Sequence, residues 1–376
     1  MERAPKGPLG VRFPPGILCG IMREYHDAVF SQVKLFTLVI VCTHKFPDFE
    51  KGMVIRMDYI VLDLEWNQAT EQRKQERDKL IFEIIEIGAV KCNHERRQIS
   101  SFHEIIKPQV YHEMHQITSE LIHLKMKDLQ NGRSFLEVCR DFLEWCGDDY
   151  VFCTWGTLDL LELQRNMAYF EMPPLADGPL KYFDIQKLFS IAYEDRKSRR
   201  TLEYAINFLE IEKDIPFHRA DADAYYTARV LEHFYHPAIF HNYSFDVYHL
   251  PKNRAEEVHA IFDDYEKYIS REFEDKTIAL ADREVNSTRC YICGRNAKRK
   301  IPWFSINGKH YYAVAYCEKH GYLKGKIRIR KSVNQKIYAV KTLKLIPEET
   351  VLDIAKKQEH AKEQKKYKKK KNDVTD

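Results

Sequence analysis

The sequence is short of the residues that punctuate or staple a chain. Its 376 residues include only 14 Gly, 14 Pro, 9 Cys and 4 Trp. So little Gly and Pro excludes collagen-like and low-complexity designs. The cysteines are odd in number, and Cys290, Cys293 and Cys317 crowd together late in the chain. That usage speaks against a disulfide framework and for a reduced, cytoplasmic protein. Long apolar runs are missing as well. The longest, Leu35 to Cys42, has 8 residues and includes Thr37, whereas a spanning helix needs about 20. No transmembrane segment and no membrane partner are expected. The same run lies too far from the start, with no small-residue cleavage site after it, to make a signal peptide. Internal repeats and phosphate-cradling Gly-rich loops are absent from the sequence.

What is present can bury a core: 44% of residues are hydrophobic and 12% aromatic. The length suits about two or three domains. The net charge of +4 is unevenly spread. Residues 289–376 hold 24 Lys and Arg against 8 Asp and Glu, a net +16, and residues 1–288 hold 36 against 48, a net −12. An acidic body joined to a basic end points to a nucleic-acid or other polyanion partner.

Residues 1–56 show Gly- and Pro-rich pieces and no sustained periodicity. The native start is expected at Met57 or Met53, which makes the earlier residues an upstream extension or a wrong start; the alternative is a genuine but poorly ordered arm. From 57 to 235 the pattern is that of an α/β domain. Strand-like runs fall at 59–65, 81–91, 99–106, 150–154 and 180–184, and helix-like stretches at 134–146, 158–169, 201–209 and 220–234. Ser134 and Thr201 are expected N-caps, Ser134 with the capping-box residue Glu137. The order predicts a mixed five-stranded sheet flanked by helices. Residues 236–288 read as a helical connector, 289–345 as a small basic module, and 346–376 as a Lys-rich tail, helical and fraying.

Three acidic elements stand out in the α/β domain. Asp63 and Glu65 occupy one face of an apolar strand, because residues i and i+2 face the same side. Two carboxylates buried side by side call for a cation. Asp159 follows the strand at 150–154, in the run Trp155-Gly156-Thr157-Leu158-Asp159. Positions just beyond strand ends are favoured for active sites in α/β sheets. His218 and Asp223 frame the start of the helix at 220–234, in His218-Arg219-Ala220-Asp221-Ala222-Asp223. Singly, each has a plainer explanation: an exposed edge-strand face, a helix-end acid, a pair of first-turn acids.

As an ordered set the three elements resemble the motifs of the DEDDh 3′–5′ exonucleases, the group of ribonuclease T, oligoribonuclease and the polymerase proofreading subunit. Ile84-Ile85-Glu86-Ile87-Gly88-Ala89-Val90 is similar to that family's second strand, and Pro179-Leu180-Lys181-Tyr182-Phe183-Asp184 to its fifth. The Trp-Gly-x-x-Asp form is most similar to the histone-mRNA exonuclease and sporulation-inhibitor subgroup. The resemblance covers residues 58–235. It implies a ribonuclease H-like fold and two Mg²⁺ or Mn²⁺ held by Asp63, Glu65, Asp159 and Asp223. It also implies His218 as general base, and removal of nucleotides from a 3′ end as 5′-monophosphates. The chemistry agrees: hard divalent ions prefer carboxylate oxygen, two ions stabilise an in-line phosphoryl displacement, and an imidazole titrates near neutrality.

The late cysteines form Cys-x₂-Cys-x₂₃-Cys-x₂-His, as Cys290, Cys293, Cys317 and His320, with Gly294 after the first pair. Two short-spaced pairs suit one structural, tetrahedral Zn²⁺ in a zinc-ribbon-like module. His310 is the alternative fourth ligand. The same module holds 15 Lys and Arg against the single acid Glu318, interleaved with aromatics that can stack on unpaired bases. Lys324, Lys326, Arg328, Arg330 and Lys331 are its candidate nucleic-acid contacts. The leading expectation is a nuclease of single-stranded 3′ ends, RNA or short oligonucleotides before DNA. The alternatives are an idle exonuclease fold with a binding or regulatory role, and a purely structural zinc protein. Protein partners are not specified by the sequence.

Overall fold

The computed structural model describes residues 57–70 and 80–372, with side chains to Gln364. The expectation for residues 1–56 lies outside the described residues.

The first sheet begins with β1 (Asp58–Asn67), β2 (Glu83–Cys92) and β3 (Gln98–Ile105), joined antiparallel. β4 (Tyr150–Thr154) lies parallel to β1 on its other side, and β5 (Leu180–Asp184) parallel to β4. β6 (Ser244–Asp246) closes the edge, giving the order β3-β2-β1-β4-β5-β6. The expected mixed sheet is therefore present, with a short sixth strand added from beyond the expected domain end.

β1 shows why the sheet sits in the middle. Ile60, Leu62 and Leu64 pack on one face with α3 (Phe135–Cys146) and α4 (Asp159–Tyr169). Val61 packs on the other with α5 (Ile185–Tyr193), α6 (Leu202–Phe208) and α7 (Ala220–Glu232). A strand buried on both faces reads as a continuous apolar run. Two short helices, α1 (Gln116–Ile122) and α2 (Met126–Leu129), cap a satellite cluster around Ile85. The N-caps fall where expected: Ser134 forms its capping box with Glu137, and the Thr201 hydroxyl accepts from the Tyr204 N–H.

The helical connector expected over 236–288 is a correction. Only two 3-10 turns (Pro237–Asn242 and Arg254–Glu256) and two short helices, α8 (Lys276–Ala281) and α9 (Arg283–Asn286), are helical there. The charged stretch between them and β6 is a hairpin, β7 (Val258–Ile261) and β8 (Tyr265–Ile269). Short runs of mixed character fit a helix or a strand equally well. The partner that decides, β12 (Ile337–Ile346), lies some seventy residues on: Ile269 pairs Val340 and Lys267 pairs Thr342.

The second sheet is antiparallel, in the order β7-β8-β12-β11-β10-β9, with β9 (Lys298–Ser305), β10 (His310–Cys317), β11 (Gly321–Lys331) and β12 (Ile337–Ile346). The ribbon expected over 289–345 is thus part of a larger sheet. One face packs Tyr268, Ile327 and Ala339 against Ala279 and Val285 of α8 and α9. On the other, Ile269 and Tyr338 meet Phe245 of β6. Farther along that face, Val314 and Ile301 meet Ile354 of α10 (Glu348–Asn372), the expected C-terminal helix.

Candidate active site and nucleic-acid face

The β1–β2 register sets the site. Asp63 pairs Gly88 and Glu65 pairs Glu86, so both acids lie on the face that α7 covers. α7 starts closer to that face than any side chain on Gly88 would allow. A Cβ there would stand 2.0 Å from the Ala220 carbonyl carbon and 2.2 Å from the Asp221 nitrogen. Glycine at 88 lets the helix bring Asp223 down to the strand. As a result Asp63, Glu65 and Asp223 offer ligand oxygens that all lie within 4.8 Å of one another.

Asp159 arrives from the other side of β1. β4 ends at Thr154, and the turn after it uses Gly156 at φ +109°, a region suited to glycine. The Thr154 hydroxyl donates to the Gly156 carbonyl at 2.9 Å. Asp159 then opens α4, 7% exposed, and its carboxylate accepts from its own N–H and from that of Leu64. Its oxygens fall outside the tight trio, but its charge acts on Asp63.

His218 stands exposed in the loop just before α7, in the left-handed region at φ +68°. Non-glycine residues held there cost about 1–3 kcal/mol and cluster at functional sites. Phe217 stacks on Tyr226 with centroids 4.4 Å apart, and the His218 N–H points to Asp223 Oδ1 at 3.4 Å. These contacts fix the loop and keep His218 close enough to Asp223 for its charge to act on that carboxylate.

The electrostatics are those of crowded carboxylates. Asp63 and Glu65 keep an opening to solvent, yet the protein around them penalises their charge. Burial raises Asp63 well above the usual carboxylate range, helped by the charges of Asp159, Glu65, Asp223 and Glu86. Glu65 is pushed up to about 8 by burial and by Glu86. Asp159 is pushed up to about 7, mainly by burial. Asp223 is raised, again mainly by burial. Such a group of hard oxygen donors fits divalent cations, which let all four ionise together.

Three neighbours carried no role in the sequence reading: Glu86, Arg219 and His103. The only signal was a lone Glu inside the apolar run Ile84–Val90. Asp221, at no motif position, turns towards His103 and away from the trio, with Oδ2 3.8 Å from His103 Nδ1.

In the second sheet Cys290, Cys293, Cys317 and His320 form a group with all ligand atoms within 4.8 Å. Cys293 Sγ is 3.7 Å from Cys317 Sγ, and His320 Nδ1 is 3.5 Å from Cys290 Sγ and 3.8 Å from Cys317 Sγ. A tetrahedron with Zn–S bonds of about 2.3 Å has edges of roughly 3.8 Å. Against the upward push of burial, the Lys319 and His320 N–H groups and the His320 ring bring the Cys317 thiol down to about 6. His310, the alternative ligand, lies at the far end of β10 and takes the Asn307 side-chain amide at 3.1 Å.

Of the candidate nucleic-acid contacts, Lys324, Lys326, Arg328 and Arg330 share one face of β11. Lys331 follows Arg330 directly and so belongs to the opposite face, which removes it from the strip. The register extends the strip sideways: Tyr312, Lys326, Thr342 and Lys267 are successive cross-strand partners. Lys326 Nζ lies 5.9 Å from the Tyr312 ring centroid. Burial, with Arg330 and Arg328 nearby, pushes the Lys267 ammonium down to about 8.

Residues 60–231 match the family model for RNase_T, described as an exonuclease. Several solved structures align with the chain. The nuclease domain of 3′hExo, a DEDDh family member, bound to rAMP, aligns at 19% identity over 47% of this chain and 90% of that one, with a TM-score of 0.40. Cell-death related nuclease 4 (CRN-4) aligns at 15% identity over 51% and 67%, with a TM-score of 0.40. The Mg²⁺- and Mn²⁺-bound form of S. pombe Pop2p aligns at 17% identity over 47% and 82%, with a TM-score of 0.35. A search of curated proteins finds no match.

Proposed function

We propose, because residues 60–231 match the RNase_T exonuclease model, that this protein is a metal-dependent 3′–5′ exonuclease of single-stranded nucleic acid. RNA or short oligonucleotides are its preferred substrates, and nucleoside 5′-monophosphates its products. The observation that carries this reading is the convergence of Asp63, Glu65 and Asp223 beside Asp159.

Asp63, Glu65, Asp159 and Asp223 would hold two Mg²⁺ or Mn²⁺ ions. Bound ions neutralise the charge that builds on phosphorus, on the attacking water and on the leaving oxygen. His218 accepts the proton of that water as its oxygen attacks the last phosphate. The bond from phosphorus to the O3′ of the preceding nucleotide breaks, and that oxygen takes a proton to become the new 3′-hydroxyl. His218 is exposed, so its imidazole is open to an approaching chain end. Replacing His218 by Ala removes a general base and is expected to slow the chemical step by about 10²- to 10⁴-fold. Single-turnover kinetics on a 3′-labelled RNA oligonucleotide measure this. A rate equal to wild type would remove His218 from the role.

The same proposal assigns one structural Zn²⁺ to Cys290, Cys293, Cys317 and His320. It makes the strip of Lys324, Lys326, Arg328 and Arg330 a phosphate-binding surface, with Tyr312 beside it for stacking. Metal analysis of the full-length chain should find about one zinc per chain, and C317A should lose it. Zinc far below that level in the wild-type protein would contradict the assignment. A cytoplasmic location belongs to the proposal as well, on the cysteine usage. No helix among the described residues is long and apolar enough to cross a membrane.

A further inference from the structure

Beside the four carboxylates stands a fifth that the proposed reaction does not use. Glu86 lies opposite Glu65 in the β1–β2 register and is 0% exposed. A lone buried carboxylate there would be costly and would repel its neighbours. Arg219 meets it with a fork: Nε stands 3.0 Å from Oε1 and 3.1 Å from Oε2, and Nη2 stands 2.7 Å from Oε1. His103 of β3 adds an Nε2–Oε1 contact of 2.6 Å. Glu86, His103 and Asp221 have ligand atoms within 4.8 Å of one another. They are still no metal site, because Arg219 already occupies both Glu86 oxygens.

The position of Arg219 gives the pair a further meaning. It is the residue between His218 and the first residue of α7. Its carbonyl accepts the Asp223 N–H at 2.9 Å. The next residue, Ala220, is the one seated on Gly88, two positions along β2 from Glu86. The fork therefore joins β2 to the turn that carries both His218 and Asp223.

We infer that Glu86 and Arg219 form a charge-neutral bolt, which holds the start of α7 against β2 while adding no net charge to the carboxylates that take divalent ions. This inference rests on the proposed nuclease site and names two positioning residues for it. Losing Glu86 leaves an unbalanced cation beside Glu65, which opposes a metal ion. Losing Arg219 leaves Glu86 held by His103 alone and puts no cation beside Glu65, so it does not oppose a metal ion. A pair that served packing alone would weaken the site whichever partner was removed.

The test is calorimetric titration of Mn²⁺ into the full-length protein, with RNA degradation at saturating Mn²⁺ measured alongside. E86Q is expected to weaken Mn²⁺ binding roughly 10- to 100-fold, the range typical of groups that support metal ligands. R219Q is expected to leave Mn²⁺ binding as tight as wild type or tighter, and to lower kcat with little change in KM. The double variant E86Q/R219Q is expected to recover Mn²⁺ binding close to wild type, the coupling that marks a true pair. R219Q binding as weakly as E86Q would overturn the inference, as would a double variant that stays weak. Should R219Q not fold, the double variant decides alone, since it buries no unpaired charge. D63A separates this inference from the reading beneath it. If D63A binds Mn²⁺ and degrades RNA like wild type, the nuclease site itself is wrong, whatever the Glu86 and Arg219 variants do.

Discussion

Glu65 at about 8 and Asp159 at about 7 are carboxylates that hold their protons far longer than the ordinary 4.5 and 3.8 of Glu and Asp. Their folded values exceed their unfolded ones, so the folded, metal-free protein binds more protons between those limits. The stability they contribute is fully present below about pH 4 and is lost as pH rises through 7 to 8. The melting temperature of metal-free protein should therefore fall from pH 5 to pH 8. Added Mn²⁺ should remove most of that slope, because it favours the ionised carboxylates. E65Q should flatten the slope without metal. A melting temperature that rises over that interval in metal-free protein would contradict the crowding. At this scale the sequence was informative. Asp63 and Glu65 are two apart on a strand, and Asp159, His218 and Asp223 sit at element ends, but it is their order as a set, through its resemblance to known motifs, that singles them out. The Glu86–Arg219 fork was not legible, because its partners are 133 positions apart and neither residue type demands the other.

Elements of the α/β body could be read because their own periodicity agrees with their place in the fold. β1, β2, β4 and β5 are apolar runs, and α3 and α7 carry apolar residues at three- and four-residue spacing. α5 went unread although Asp184 caps it, accepting from the Lys187 N–H at 2.9 Å. Its start directly follows the last residue of β5, with no loop to mark a boundary. The hairpin of β7 and β8 was misread because its identity comes from β12. Between β2 and α7, Gly88 is what admits the helix, so G88A forces the helix or the strand to move. Overpacking of this kind costs typically about 1–3 kcal/mol, and here it also displaces Asp223. Denaturant unfolding and kcat, measured together, should show activity falling by more than the change in folded fraction explains. A G88A protein with wild-type stability and activity would contradict the close approach.

The whole molecule divides its charge between two sheets. The acidic half includes the carboxylates of the first sheet, and the basic half includes the strip on β11. The division lies earlier in the chain than composition suggests, because residues 258–269 already belong to the second sheet. A truncation near residue 285 would cut that sheet apart, so the strip is better tested by substitution. K326A and R328A should weaken binding of single-stranded RNA. Each should also lower the salt dependence of log Kd by about one unit for every phosphate that is no longer neutralised. Unchanged salt slopes would make these residues a merely solvated face.

Whether the carboxylate cluster removes nucleotides from 3′ ends is tested by digestion of 5′-labelled single-stranded RNA with wild-type protein and D63A, in Mg²⁺ and in EDTA, with the released products identified. A nuclease of this kind gives a ladder that shortens stepwise from the 3′ end, releases nucleoside 5′-monophosphates, and shows no shortening with EDTA or D63A. Internal cuts, shortening that persists in EDTA, or a D63A protein as active as wild type would contradict this activity.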